Sequence, residues 1–257
     1  MNKKIFAANW KMNKDFNSAC SFIKEIVGII KSDQIILPRI IIIPPFPYLY
    51  SIIEILSDLG CINIGAQNCH ESEYGAFTGE VSAPMLKSVG VNYVLVGHSE
   101  RRNHFNETNQ VISKKIDSVL KYGLTPIFCC GEDISSRQMN THIDVVQQQI
   151  AESLFHLPIQ EISKVIIAYE PVWAIGNGIT ATPEEIVDMN KCIRSFIANK
   201  YNYEVSQKIP LLYGGSCNEI NVSSFLTNLE INGVLVGGAS LHTESFLGIL
   251  NEICEIG

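Results

Sequence analysis

The chain has 257 residues, 46% of them hydrophobic and only 18% charged, with a formal net charge of −7. That balance describes a folded protein with a large core and excludes disorder. The negative charge, with no Lys/Arg cluster to offset it, argues against a nucleic-acid partner.

Strand-like runs recur along the whole chain: Ile5–Asn9, Ile40–Ile43, Ile62–Ala66, Tyr93–Val96, Pro126–Cys129, Val165–Tyr169, Pro210–Tyr213 and Gly233–Val236. Val165–Tyr169 shows no alternation of polar and apolar residues, which suits a strand covered on both faces, as in a parallel sheet. Helical faces fill the gaps. Ile23, Ile26, Val27 and Ile30 repeat at helical spacing, and so do Leu49, Ile52, Ile53 and Leu56. Ile112, Ile116, Val119 and Leu120 form another such face, as do Phe246, Ile249, Leu250 and Ile253 after the last strand. Thr182-Pro183-Glu184-Glu185 reads as a helix start, with Thr182 as N-cap and Glu185 closing a capping box. Eight strands, each followed by a helix or loop, predict an α/β fold with a closed eight-stranded parallel barrel, (β/α)₈, as one domain over residues 1–257. An open doubly wound sheet is the competing architecture, but no G-x-G-x-x-G follows the first strand.

The longest apolar runs hold about five residues, far short of the ~20 of a membrane span, so no membrane association is expected. Met1-Asn2-Lys3-Lys4 is a basic start, yet Ile5-Phe6-Ala7-Ala8 is too short for a signal-peptide core, and Cys254-Glu255-Ile256-Gly257 carries no recognisable address. The eight cysteines contain no C-x-x-C pair and are expected to be reduced and mostly buried. The expected compartment is the cytoplasm.

Polar and glycine-rich residues gather just past the strand ends: Asn9 and Lys11, Gln67 and Asn68, Gly97-His98, Gly131-Glu132, Glu170, Gly214-Gly215-Ser216 and Gly237-Gly238. In a barrel these positions converge on one rim, where barrel enzymes carry their active sites. Glu170 directly follows a strand and precedes Pro171, which stops further pairing. Val172-Trp173-Ala174-Ile175 then gives an apolar tip closed by Gly176 and Gly178, which reads as a lid after a base. A salt-bridged glutamate and an ordinary loop would read the same way. His98 opens a possible helical turn, whose N–H groups disfavour a protonated ring; Glu100, Arg101 and Arg102 could equally form a structural ion-pair cluster. Lys11 is otherwise a solvated surface residue. The glycine pairs after the seventh and eighth strands suit phosphate binding through backbone N–H groups.

The runs N-W-K-M-N at 9–13, G-H-S-E-R-R at 97–102, A-Y-E-P-V-W-A-I-G at 168–176, Y-G-G-S at 213–216 and V-G-G-A-S at 236–240 resemble the triosephosphate isomerase family, in its order and over essentially the whole chain. A glutamate base beside a neutral histidine under a closing loop is the arrangement known for that family itself. The resemblance implies interconversion of dihydroxyacetone phosphate and D-glyceraldehyde 3-phosphate, with no metal and no organic cofactor. It implies Glu170 as the base and His98 as the neutral electrophile. Lys11 and Asn9 would bind substrate and stabilise its negative charge, and Glu100 would be the lysine's partner. Gly176, Ser216, Gly237 and Gly238 would bind the phosphate. It further implies a homodimer in which the loop Gln67–Gly79 enters the neighbour and brings Thr78 near its Asn9 and Glu100. Exposed Tyr74 and Phe77 on that loop point the same way. Another phosphate-binding barrel enzyme, or a catalytically silent barrel acting as a binding protein, is the alternative. The first leaves Glu170, His98 and the lid unexplained, and the second leaves the whole polar set unexplained.

Some positions depart from the family's usual run: Cys130 beside Cys129, Cys217 after Ser216, Asn140 where glycine is usual, Asn177 where threonine is common, and Ile179 after the lid. Asn177 is expected to leave the lid working, with a shift of about 1 kcal/mol in its open–closed balance.

Overall fold

The computed structural model describes residues 3–32, 37–57, 60–176 and 178–256. Its eight strands are β1 (Ile5–Asn9), β2 (Arg39–Ile43), β3 (Ile62–Ala66), β4 (Tyr93–Val96), β5 (Thr125–Cys130), β6 (Ile166–Tyr169), β7 (Leu211–Tyr213) and β8 (Gly233–Val236). They pair in sequence order, all parallel, and β8 returns to β1 to close the barrel.

Alternation along each strand is present but hidden from the sequence, because both faces are buried. Ile5 and Ala7 point inward to meet Ile41, Ile43, Leu95, Ile127, Ile166, Ala168, Leu212 and Leu235 in the barrel interior. Phe6 and Ala8 point outward into a second, larger layer between sheet and helices. The predicted helical faces cover that layer: Ile23, Ile26, Ile112, Ile116, Phe246 and Ile249 are fully buried. The helix Pro183–Lys200 starts with the expected capping box between Thr182 and Glu185.

The closing seam depends on a residue without a side chain. Gly233 pairs with Ile5, and a Cβ built there would lie 2.1 Å from the Ile5 carbonyl oxygen. Only glycine allows β8 to approach β1 this closely. Asn140 takes a φ of 57°, a left-handed geometry that glycine and asparagine both reach, so asparagine fits at a position where the resemblance leads one to expect glycine.

Of the cysteines, Cys69, Cys129, Cys130 and Cys217 are buried, while Cys20, Cys61, Cys192 and Cys254 are half-buried; all are free. Among the described residues no helix is long and apolar enough to cross a membrane.

Candidate active site

At the end of β1, Trp10 anchors the chain outward, fully buried with its ring edge-on to Phe22 at 5.4 Å. Its neighbours Asn9 and Lys11 are thereby left to the barrel mouth. Lys11 has a φ of 52°, rare for a lysine and found where surrounding contacts enforce it. Those contacts are visible: Lys11 N–H donates to Asn9 Oδ1 at 3.1 Å, and Gln67 Nε2 donates to Lys11 O at 2.7 Å. The same Gln67 nitrogen also reaches Ile43 O at 3.2 Å, tying the turn to β2. Lys11 Nζ donates to Glu100 Oε1 at 2.6 Å. Burial works to raise the Glu100 carboxyl, but the hydrogen bond and charge of Lys11 outweigh it and hold it below the usual carboxylate range.

After β4, Gly97 turns the chain with a φ of 73°, and His98 caps the helix Ser99–Phe105. The ring does the capping: Nδ1 accepts the Glu100 N–H at 3.3 Å. A nitrogen that accepts cannot carry a proton, so the neutral ring holds its proton on Nε2. That Nε2 stands 3.3 Å from Glu170 Oε1.

Glu170 is only 1% exposed. Its Oε2 accepts the Ser99 N–H at 3.0 Å, and its own N–H donates to Cys130 O at 2.7 Å. Glu100, Arg101 and Arg102 do not form the ion-pair cluster that the sequence also allowed, because Glu100 turns to Lys11 and the two arginines turn to other partners. Arg101 Nε pairs with Glu107 at 2.5 Å, and Arg102 donates to the carbonyls of Gly97 and Cys129 at 2.8 and 3.0 Å.

The lid begins at Pro171 and tightens into the 3₁₀ turn Val172–Ala174. Its Trp173 Nε1 donates to Glu132 Oε1 at 2.9 Å, on a carboxylate that also accepts Tyr169 OH at 3.1 Å. Gly176 and Gly178 both have positive φ, of 72° and 78°; Asn177 between them lies outside the described residues. Ser216 differs from the simple expectation of a waiting phosphate donor. Its N–H and Oγ–H both donate to Ala174 O, at 2.9 and 2.8 Å, so the lid stem occupies them. Gly237 and Gly238 stand at the start of the turn Gly238–Ser240, where the first N–H groups have no partner within the turn. A Cβ on Gly237 would sit 3.2 Å from Lys11 Cε, so a side chain there would crowd the lysine.

One cavity of about 230 Å³ is lined by Asn9, Lys11, His98, Glu170, Gly176, Ser216, Gly237 and Gly238. Glu100 joins the group through its contact with Lys11. The space suits a small molecule, being below the ~300 Å³ at which drug-sized sites begin. Sequence reasoning did not single out Gln67 as a support of Lys11, nor Ser99 as a donor to Glu170. Ser99 stands inside the 97–102 motif and Gln67 just past the third strand, but only tertiary contacts give them these tasks.

A sequence profile described as triosephosphate isomerase matches residues 4–253. A triosephosphate isomerase of Amoebophilus asiaticus is 49% identical over 253 residues, covering 98% of this chain and 100% of the relative. One from Dictyoglomus thermophilum is 47% identical over 252 residues, covering 98% of this chain and 100% of the relative. One from Cytophaga hutchinsonii is 45% identical over 249 residues, covering 97% and 98%. With the barrel closed in sequence order and the motif residues gathered on one cavity, the chain belongs to the triosephosphate isomerase family.

Proposed function

We propose that this chain interconverts dihydroxyacetone phosphate and D-glyceraldehyde 3-phosphate, serving glycolysis and gluconeogenesis from the cytoplasm as a single barrel domain. The observation that carries this reading is a buried carboxylate, Glu170, whose Oε1 stands 3.3 Å from His98 Nε2 at the mouth of the barrel. Glu170 takes the proton from the hydroxymethyl carbon of dihydroxyacetone phosphate. The C–H electron pair becomes the carbon–carbon double bond, and the carbonyl pair moves onto oxygen. His98 Nε2–H hydrogen-bonds the enediolate oxygens and shuttles the proton between them, while Lys11 and Asn9 offset the negative charge. Glu170 then returns its proton to the adjacent carbon as the aldehyde forms. Gly237 and Gly238 offer backbone N–H groups to the phosphate. Gly176 and Ser216 add theirs when the lid closes and Ala174 O releases the serine. Closure keeps water from the enediolate, which would otherwise eliminate its phosphate.

In deuterium oxide, turnover should place deuterium on the hydroxymethyl carbon of dihydroxyacetone phosphate and on the carbon next to the aldehyde of glyceraldehyde 3-phosphate, as the proton on Glu170 exchanges with solvent, read by proton NMR. Full turnover with no deuterium entering either triose phosphate, even after prolonged equilibration of the two isomers, would contradict a Glu170 that exchanges its proton with solvent between turnovers.

The working unit in this reading is a homodimer joined through the loop Gln67–Gly79, with Thr78 near the neighbour's Asn9 and Glu100. Its support is apolar exposure: Tyr74 is 71% exposed and Phe77 46%, with Met12 beside Lys11 at 94%. Two large apolar side chains exposed on one loop, with a third beside Lys11, support a surface that a second copy covers. Sedimentation of the active enzyme should give twice the chain mass. A fully active monomer at low concentration would contradict the dimer.

A further inference from the structure

One side chain reaches the backbone beside Glu170 from behind. Gln149, on the helix His142–Leu154, turns its carboxamide to both backbone polar groups of one residue: Oε1 accepts the Gly131 N–H at 2.8 Å, and Nε2 donates to Gly131 O at 3.0 Å. Gly131 in turn is pressed against Glu170. A Cβ built on it would lie 1.7 Å from the Glu170 carbonyl oxygen and 3.2 Å from its Cα. Backbone bonds flank this contact, from Glu170 N–H to Cys130 O at 2.7 Å and from Val172 N–H to Glu132 O at 3.0 Å. Residues 130–132 therefore form a rail along which the chain carrying Glu170 is laid. A second cavity, of about 410 Å³, is lined by Gln149, Gly131, Cys130, Ser99 and Glu170.

We infer that Gln149 is a positioning residue for Glu170: by holding the N–H and the C=O of Gly131, in the two peptides that flank its Cα, it fixes the rail against which the backbone of Glu170 is laid. This rests on the reading of Glu170 as the base. A glycine has no side chain to hold its own peptide in place, so the restraint must come from outside. The required precision is high, because a misplacement of about 1 Å at a reacting group can cost on the order of a hundredfold.

Two variants of the full chain test this, Gln149→Met and Gln149→Glu. In Gln149→Met, kcat should fall about tenfold while KM changes by less than about twofold. Affinity for a phosphorylated hydroxamate, whose planar oxygens mimic the enediolate, should fall in step with kcat. Affinity for inorganic phosphate should hold. In Gln149→Glu, the ionised carboxylate accepts the Gly131 N–H but faces Gly131 O without a proton to give. Protonated, it supplies both partners again, so the ratio of its kcat to that of the native chain should rise as pH falls through the carboxylate range. A folded Gln149→Met with native kcat, or one losing phosphate affinity as much as kcat, would overturn the inference. So would a Gln149→Glu ratio that is flat with pH, which decides the matter if the methionine variant does not fold. Absence of turnover in the native chain is a different result and would overturn the reading of the site itself.

Discussion

Glu170→Asp should lower kcat by at least about a hundredfold while the protein keeps its fold. The change withdraws the carboxylate by one methylene, roughly the ~1 Å that separates a reacting geometry from a poor one. Little else should change, because Glu170 is anchored through its backbone. Its N–H bonds Cys130 O at 2.7 Å, and Pro171 and the lid follow unchanged. Glu170→Gln tests the chemistry apart from the reach, since the amide has the same length and its oxygen can still accept the Ser99 N–H that now meets Oε2 at 3.0 Å. It has no basic oxygen to take a proton from carbon, so its kcat should fall further than that of Glu170→Asp. Steady-state kinetics with circular dichroism and thermal melts would decide. A folded variant of either kind with near-native kcat would move the base elsewhere.

The largest effect on stability is expected away from the mouth, at Lys115. This lysine is 4% exposed; its Nζ donates to Glu107 Oε1 at 2.5 Å and to Asn68 Oδ1 at 2.8 Å. Burial would raise the Glu107 carboxyl, but the Lys115 hydrogen bond and charge, with Arg101 behind them, hold it below 4.5. Lys115→Met strips a buried carboxylate of its main partner, which costs about 3 kcal/mol in comparable cases. For a chain of this size that is a fall of roughly 6–12 °C in Tm. The sign with pH follows from the depressed carboxyl. Its stabilising contribution is complete above the unfolded value and is lost as pH falls through the lower folded value. The gap between native and variant should therefore be widest near neutral pH and shrink below about 4.5. Equal melting at pH 7 would show that Arg101 alone satisfies Glu107.

The barrel is legible because eight mostly apolar runs recur along the chain with helical faces between several of them. The small errors have local causes. Val165 was read as part of β6, but its N–H turns back to Ile162 O, and β6 begins at Ile166. Pro210 was read into β7, yet it has no N–H to offer the ladder and only accepts, from Ile167. Polar residues gain from pairing instead of ending the sheet at β2 and β5, which run on to Arg39 and Thr125.

The site was legible in its residues but not in its bonds. Strand-end positions placed Asn9, Lys11, His98 and Glu170 together before any coordinates. What sequence spacing could not show was long-range and made by ordinary polar side chains. A lysine gives no sign that its φ will be positive, and the support from Gln67 is 56 residues away. The capture of Ser216 by Ala174 O spans 42 residues. Gln149 lies within a run of three glutamines, Gln147 to Gln149, and nothing in that run marks which one will face the barrel.

The most direct measurement is a coupled assay of the purified chain with each triose phosphate in turn, run with and without excess chelator. The account predicts turnover in both directions, at a rate that chelation leaves unchanged. No conversion of either triose phosphate would contradict the isomerase, and conversion lost only with chelator would contradict an active site built from Glu170, His98, Lys11 and Asn9 alone.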